Sequence, residues 1–164
     1  MLLCLRIGPR CAVRCADILT SNGAVLPWVN ELKYLGIFIV QSRKFKCSLE
    51  HAKKSCYRVI NAIFGKIGRI ASEEVTLELV AKKCIPVLMY GLEAIPLTKS
   101  DKQSLDFVIN RLFMKLFKTG DIHTVQQCQE FFGFELPSVR LERRTAKFLS
   151  NFSLSNGQCG DVVS

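Results

Sequence analysis

The chain has 164 residues, of which 49% are apolar, and its 23 Lys and Arg residues outnumber its 14 Asp and Glu residues to give a formal net charge of +9. This length supports one domain with a hydrophobic core, and the apolar content excludes disorder over most of the chain. The basic balance favours nucleic acid as a partner, with a membrane surface or an ordinary solvated basic face as the alternatives.

The first third of the chain predicts β structure, as the beginning of an α+β fold. Residues 2–7 and 11–19 are candidate strands, and the turn signal Asn22-Gly23 follows them. Residues 31–40, ELKYLGIFIV, predict a third strand, although Gly36 stands in its middle. From the residues alone, the preferred explanation of Gly36 is a bulge in a structural hairpin.

From about residue 46 the apolar spacing becomes helical. A first helix is predicted within residues 47–70, and Ser72 then caps a second helix that stops near Ile85, because Pro86 disfavours helix before it. Residues 86–99 predict a short buried helix that is broken at Gly91.

A third helix begins, by prediction, at a capping box. Its predicted members are Ser100 and Gln103, and its apolar stripe is Leu105, Val108, Ile109, Leu112, Phe113, Leu116 and Phe117. A shorter helix over residues 124–132 and a last one from Pro137 complete the bundle. We therefore predict a small antiparallel β-hairpin region over residues 1–45, a helical bundle over 46–152 and a disordered tail over 153–164.

Three of these helices carry basic residues at helical spacing, which we call the basic ridges. The first helix has Lys54 and Arg58, the third has Arg111, Lys115 and Lys118, and the last has Arg140, Arg143, Arg144 and Lys147. If the apolar stripes pack together, the ridges could line one groove for phosphates, and affinity would then fall steeply with salt. The alternative is that they are ordinary wet helix faces.

No catalytic constellation is recognisable, so we expect neither a catalytic residue nor a metal ligand. The two histidines, His51 and His123, lie in surface-like stretches, and Cys11 and Cys15 lack the second pair that a structural zinc site needs. Arg6 interrupts the apolar N-terminal stretch, so no signal peptide is recognisable. We therefore expect the eight cysteines to be reduced thiols and not disulfides. The longest apolar run, residues 84–97, is shorter than the ~20 residues of a membrane span.

Five segments in order resemble a known family. They are residues 4–10, 28–40, 61–70, 84–97 and 105–119. They resemble the C-terminal part of the reverse transcriptase encoded by LINE-type (non-LTR) retrotransposons. The resemblance implies that Tyr34, Leu35 and Gly36 form the primer grip, a Leu-Gly hairpin that holds the 3′ end of the growing strand. The helices that follow would be the thumb.

The same resemblance implies an RNA template and a DNA primer as partners, whereas the expected reduced cysteines indicate a nuclear or cytoplasmic location. The catalytic aspartates of the family, which bind Mg²⁺ in the complete enzyme, belong to earlier palm strands, so we expect no cofactor and no polymerase activity in this chain alone. Two alternatives stay open. One is a helical protein-interaction module that self-associates through exposed apolar surface, and the other is a non-functional transposon remnant.

Overall fold

The computed structural model describes residues 3–10, 16–68 and 70–157, with the backbone alone for residues 154–157. Short β-strands precede a set of α-helices, which confirms the predicted α+β fold class. The chain divides into two compact units, Met1–His51 and Ala52–Ser164. The predicted boundary at residues 45 and 46 falls a few residues before this division.

Two strand pairs of the first unit are very short. Strand β1 (Cys4–Leu5) pairs in parallel with β4 (Trp28–Val29), and β2 (Ile18–Leu19) pairs antiparallel with β3 (Val25–Leu26). The expectation of purely antiparallel pairing is therefore wrong for β1 and β4. The β2–β3 hairpin lies between these two strands in the sequence.

The turn signal Asn22-Gly23 does join a hairpin, although the loop is longer than two residues. The backbone N–H of Thr20 donates to the carbonyl of Ala24 over 2.9 Å, which closes the loop between β2 and β3. The predicted strand 11–19 is seen only as Ile18–Leu19, and residues 11–15 lie outside the described residues.

Residues 31–40 form a hairpin, which corrects the prediction of one strand. Strand β5 (Glu31–Tyr34) turns at Leu35 and Gly36 into β6 (Ile37–Val40), with Tyr34 opposite Ile37 and Glu31 opposite Val40. Gly36 marks this reversal of the chain and not a bulge.

The described part of the second unit is helical. Its helices are α1 (Glu50–Ile67, beginning in the first unit), α2 (Glu73–Met89), α3 (Lys99–Leu116), α4 (Ile122–Phe131) and α5 (Pro137–Gly157), with a 3-10 turn at Leu92–Ala94. None of the helices in the described ranges is long and apolar enough to cross a bilayer.

Helix α2 runs through Pro86, so the predicted end near Ile85 is wrong. Ser72 caps it as predicted, because its side chain accepts a hydrogen bond from the N–H of Val75. Proline removes one intrahelical hydrogen bond, but Pro86 lies on the exposed face, where water can satisfy the freed carbonyl. Burial of Leu88 and Met89 keeps the last turn helical.

The capping box of α3 consists of Thr98 and Asp101, not of Ser100 and Gln103 as predicted. The Thr98 hydroxyl accepts from the Asp101 N–H, and the Asp101 carboxylate accepts from the Thr98 N–H. The apolar stripe is correct: its first five members are fully buried, and only Leu116 and Phe117 at the helix end are partly exposed.

Helices α4 and α5 follow the predicted order. Asp121 caps α4, and the amide of the buried Gln129 donates to the Asn110 side chain on α3 over 2.8 Å. Pro137 begins α5, as predicted, but the helix continues to Gly157, so residues 153–157 are helical and not a disordered tail. Residues 158–164 lie outside the described residues.

The helical core contains two cysteines that behave as small apolar side chains. Cys56 on α1 and Cys84 on α2 are both fully buried, and both are free thiols. A hydrogen bond to Cys84, together with burial, raises the pKa of the Cys56 thiol. This contact joins α1 to α2 at the centre of the bundle.

Candidate nucleic-acid interface

The tip of the β5–β6 hairpin has a constrained backbone. Leu35 has a φ of 47° and Gly36 a φ of 84°, and two positive φ angles at the centre of a two-residue loop are the pattern of a type I′ turn. Glycine adopts this region freely, whereas the left-handed conformation costs an ordinary residue about 1–2 kcal/mol. Leu35 therefore occupies a position that favours asparagine or glycine.

The same tip presents apolar and aromatic side chains to solvent. Leu35 is 73% exposed and the neighbouring Tyr34 is 61% exposed. Packing within the first unit thus does not explain why a leucine occupies the turn. Strained and exposed residues of this kind are characteristic of functional sites.

The base of the hairpin is held by side-chain contacts. The His51 ring stacks on Phe38 with 3.5 Å between centroids, and its Nε2 lies 3.1 Å from the Glu31 carboxylate. The ammonium of Lys33, the cross-strand partner of Phe38, lies 5.7 Å from the centroid of the same ring. These contacts fix the two strands and leave the tip free to meet a ligand.

In the second unit, α1 and α3 face each other across a groove. Lys53 donates to the Ser104 hydroxyl over 3.0 Å at one end, and Lys115 donates to the Asn61 side chain over 3.2 Å further along. Between the helices lies a cavity of about 630 Å³. Its lining residues are Tyr57, Ile60, Asn61, Arg111, Leu112, Met114 and Lys115.

Two cations of the α3 ridge stand on the rim of this α1–α3 groove. The ammonium of Lys115 lies 4.8 Å from the centroid of Phe64, and the guanidinium of Arg111 lies 6.0 Å from that of Phe107. Such contacts restrain a cation and leave its charge unneutralised. No carboxylate in the described part of the chain forms an ion pair with either side chain.

The α1 ridge extends this rim. Lys54 and Arg58 are exposed on α1, and they share the helix side of Asn61 because the three residues are spaced by four and three positions. Lys118 is exposed but lies beyond the C-cap of α3 with a φ of 51°, so helical spacing does not place it on the side of Lys115. The structure thus brings four predicted residues, Lys54, Arg58, Arg111 and Lys115, to one side of the helical unit.

The third ridge, on α5, is largely neutralised within the chain. Arg143 and Arg140 lie 2.7 Å and 3.5 Å from the same Glu135 carboxylate, and Arg144 lies 3.0 Å from Glu93. The hydrogen bond from Arg143 lowers the pKa of Glu135, so this carboxylate stays ionised into acid. Lys147 is exposed and has no carboxylate partner among the described residues.

The α5 ridge also lies on the opposite side of α3 from the groove. Helix α5 meets α3 at Asp106, which accepts from the Ser138 N–H over 2.9 Å, whereas α1 meets α3 at Lys115. Asp106 and Lys115 are nine positions apart, which is about half a turn more than two full turns. The prediction that all three ridges line one groove is therefore wrong: two do, and the α5 ridge does not.

The sequence did not single out the uncharged residues of the groove. Tyr57 precedes Arg58, Asn61 follows it by three positions, and Met114 precedes Lys115. Their closeness in sequence to the basic residues is the only signal in the sequence that they belong to the same site. A periodic pattern of charge marks the basic residues of these helices, but it does not distinguish their polar and aromatic neighbours from ordinary surface residues.

Comparisons with known proteins found no family model, curated protein or solved structure that matches the chain. Within residues 3–10, 16–68 and 70–157, no three side chains of the types His, Cys, Asp or Glu are grouped so that they could hold a metal ion.

Proposed function

We propose that this chain binds a nucleic-acid duplex, as the primer-grip and thumb part of a LINE-type reverse transcriptase that lacks the catalytic aspartates. The observation that carries the proposal is the α1–α3 groove, where Arg111 and Lys115 keep their charge unneutralised on an open rim. Cations of this kind contact phosphates and do not recognise the base sequence. The ligand would be an RNA template paired with a DNA primer.

The hairpin tip supports the same proposal independently. A two-residue turn with an exposed Leu35 and Tyr34 fits the role of a grip that lies against a sugar-phosphate chain, because Gly36 lets the backbone approach closely. Tyr34 would add a flat ring that can stack on a sugar or base. The proposal assigns no catalytic step and no metal to this chain, and Mg²⁺ belongs to the complete enzyme.

Binding of a short RNA–DNA hybrid to the full chain tests the proposal. We expect the double variant Arg111→Glu, Lys115→Glu to bind at least tenfold more weakly. Its slope of log affinity against log salt should fall by about two, one for each lost phosphate contact. Lys147→Glu on the other side of α3 is the control, and it is compared with the single variant Lys115→Glu, which makes the same charge change.

Absence of hybrid binding by the unaltered chain would overturn the proposal, as would equal weakening by Lys147→Glu. Circular dichroism of each variant ensures that weaker binding is not caused by unfolding. Hybrid binding that does not change between low and high salt would also contradict a phosphate-binding groove.

A further inference from the structure

Two residues of α1 that line the α1–α3 groove carry uncharged hydrogen-bonding groups. The Asn61 side chain accepts from the Lys115 ammonium through its carbonyl oxygen, which leaves the Asn61 NH₂ group without a partner among the described residues. The Tyr57 hydroxyl also has no hydrogen-bond partner in the described part of the chain. Because both side chains line the groove, both offer unused hydrogen-bonding groups to a ligand that enters it.

The contacts between α1 and α3 show how these two helices run. Lys53 donates to Ser104, and further along both helices Lys115 donates to Asn61. Residue numbers therefore rise together on the two sides of the groove, which means that the helices run in the same direction. A residue one turn earlier on α1 then lies across the groove from a residue one turn earlier on α3.

This arrangement gives the groove two similar pairs of residues, one turn apart. In each pair an uncharged group of α1 lies across from a cation of α3: Asn61 from Lys115, and Tyr57 from Arg111. The repeat of four residues corresponds to about 6 Å along each helix. Successive phosphates of one nucleic-acid strand have a similar spacing, so two neighbouring nucleotides can occupy the two pairs in the same way.

The two kinds of side chain suit different parts of a nucleotide. Arg111 and Lys115 suit phosphates, because neither cation has a carboxylate partner within the ranges that the structure describes. A tyrosine hydroxyl and an amide N–H suit a neutral group that can both donate and accept. In a sugar-phosphate backbone that group is the ribose 2′-hydroxyl, which deoxyribose lacks.

We propose that Tyr57 and Asn61 make the α1–α3 groove selective for a ribonucleotide strand by hydrogen-bonding successive 2′-hydroxyls, while Arg111 and Lys115 hold the adjacent phosphates. This inference rests on the proposed nucleic-acid binding and adds the residues by which this site distinguishes RNA from DNA. The Asn61 amide donates to one hydroxyl oxygen, and the Tyr57 hydroxyl bonds to the next. The contacts are to sugars, so the preference is independent of the base sequence.

Binding of three duplexes of one sequence to the full chain tests the proposal. They are an RNA–DNA hybrid, the corresponding DNA duplex, and a hybrid in which fluorine replaces every 2′-hydroxyl of the RNA strand. The fluorinated strand keeps an RNA-like helix, but it has no 2′-hydroxyl to donate. Because one hydrogen bond contributes about threefold in affinity, we expect the unaltered chain to prefer the RNA hybrid about tenfold over either of the others.

Tyr57→Phe and Asn61→Ala should each reduce this preference to about threefold, and the double variant should abolish it. The affinity for the DNA duplex and the slope of log affinity against log salt should stay the same, because no phosphate contact is lost. Tyr57→Phe keeps the aromatic ring, so this variant separates the role of the hydroxyl from stacking on a base.

Tyr90→Phe is the matched control. Tyr90 is 61% exposed at the C-cap of α2 and does not line the groove, so its replacement should leave the preference unchanged. Because the Tyr57 hydroxyl has no partner among the described residues, Tyr57→Phe should leave the fold intact, as circular dichroism would verify.

Equal affinity of the unaltered chain for the RNA hybrid and the DNA duplex would overturn hydroxyl recognition. If that binding still weakened steeply with salt, the phosphate-binding groove itself would stand, whereas binding of neither duplex would overturn both proposals. Hydroxyl recognition would also be wrong if the fluorinated hybrid bound as tightly as the RNA hybrid, which would mean that helix shape is recognised. Full preference in the double variant would equally contradict it.

Discussion

At the scale of single residues, Leu35 is the most informative position of the β unit. Its positive φ is unfavourable for leucine, and its side chain is exposed, so neither backbone preference nor burial explains the residue. In the sequence, Gly36 is the unexpected residue, because it stands in the middle of a predicted strand. The structure moves the question to the residue before it, because glycine is the expected occupant of such a turn and leucine is not.

Replacing Leu35 by asparagine should stabilise the hairpin and weaken ligand binding. Asparagine tolerates the left-handed conformation, so we expect the free energy of unfolding to rise by about 1 kcal/mol in urea denaturation. Hybrid affinity should fall because the apolar tip is lost. Leu35→Ala is the control, since it removes the side chain but keeps the strained backbone. An equal gain in stability from alanine would show that the strain is not the cause.

Asp121, the cap of α4, links stability to pH. Hydrogen bonds from the Thr124 hydroxyl and from the N–H groups of Thr124 and His123 lower the pKa of this carboxyl. Its stabilising contribution is therefore complete above the unfolded pKa, about 4, and is lost as the pH falls through the lower folded value.

We expect Asp121→Asn to reduce the pH dependence of stability, because asparagine can still accept the capping hydrogen bonds but does not titrate. The measurement is the urea midpoint at about pH 6 and about pH 2, where the difference between the two midpoints should be smaller than in the unaltered chain. A difference as large as that of the unaltered chain would exclude Asp121 as a titrating cap.

At the scale of elements, the sequence predicted α3 best and α2 least well. The stripe of α3 is a strong helical pattern, and its first five members are buried. Pro86 predicted an early end of α2, but burial of Leu88 and Met89 outweighs one lost hydrogen bond. The sequence could not weigh these terms, since burial depends on which neighbouring helices cover the last turn.

Pro86→Ala should therefore stabilise α2. Alanine restores the N–H that can donate to the carbonyl of Lys82, and it removes the clash of the proline ring with that turn. We expect the free energy of unfolding to rise by about 1–2 kcal/mol, which is less than the full helix penalty because proline also restricts the unfolded chain. The adjacent, part-exposed Val87→Ala is the control and should change stability by no more than about 0.5 kcal/mol.

At the scale of the whole helical unit, the position of the cations distinguishes two ridges from the third. Spacing along the sequence showed that each ridge occupies one side of its helix. It could not show which sides of α1, α3 and α5 meet, because that depends on contacts between residues far apart in the chain. Glu93 is 51 positions from Arg144, so no local sequence pattern predicts this ion pair.

Two cations of α5 should accordingly differ in their effect on stability. Arg144→Ala removes the partner of Glu93, whose Oε2 is already buried without a hydrogen bond, so we expect a loss of about 1 kcal/mol in thermal or urea unfolding. Lys147→Ala removes the same charge from an exposed site and should be neutral within error. Equal effects would mean that the ion pair with Glu93 contributes nothing.

The amide pair between Gln129 and Asn110 has a mechanical consequence. If α4 slid by one turn along α3, this hydrogen bond would break and the buried Gln129 amide would lose its Asn110 partner. The hydrogen bond therefore fixes the position of α4 along α3. We therefore expect α3 and α4 to move together in any rearrangement of the bundle. The protected backbone amide protons of the two helices should then exchange with solvent at matching rates.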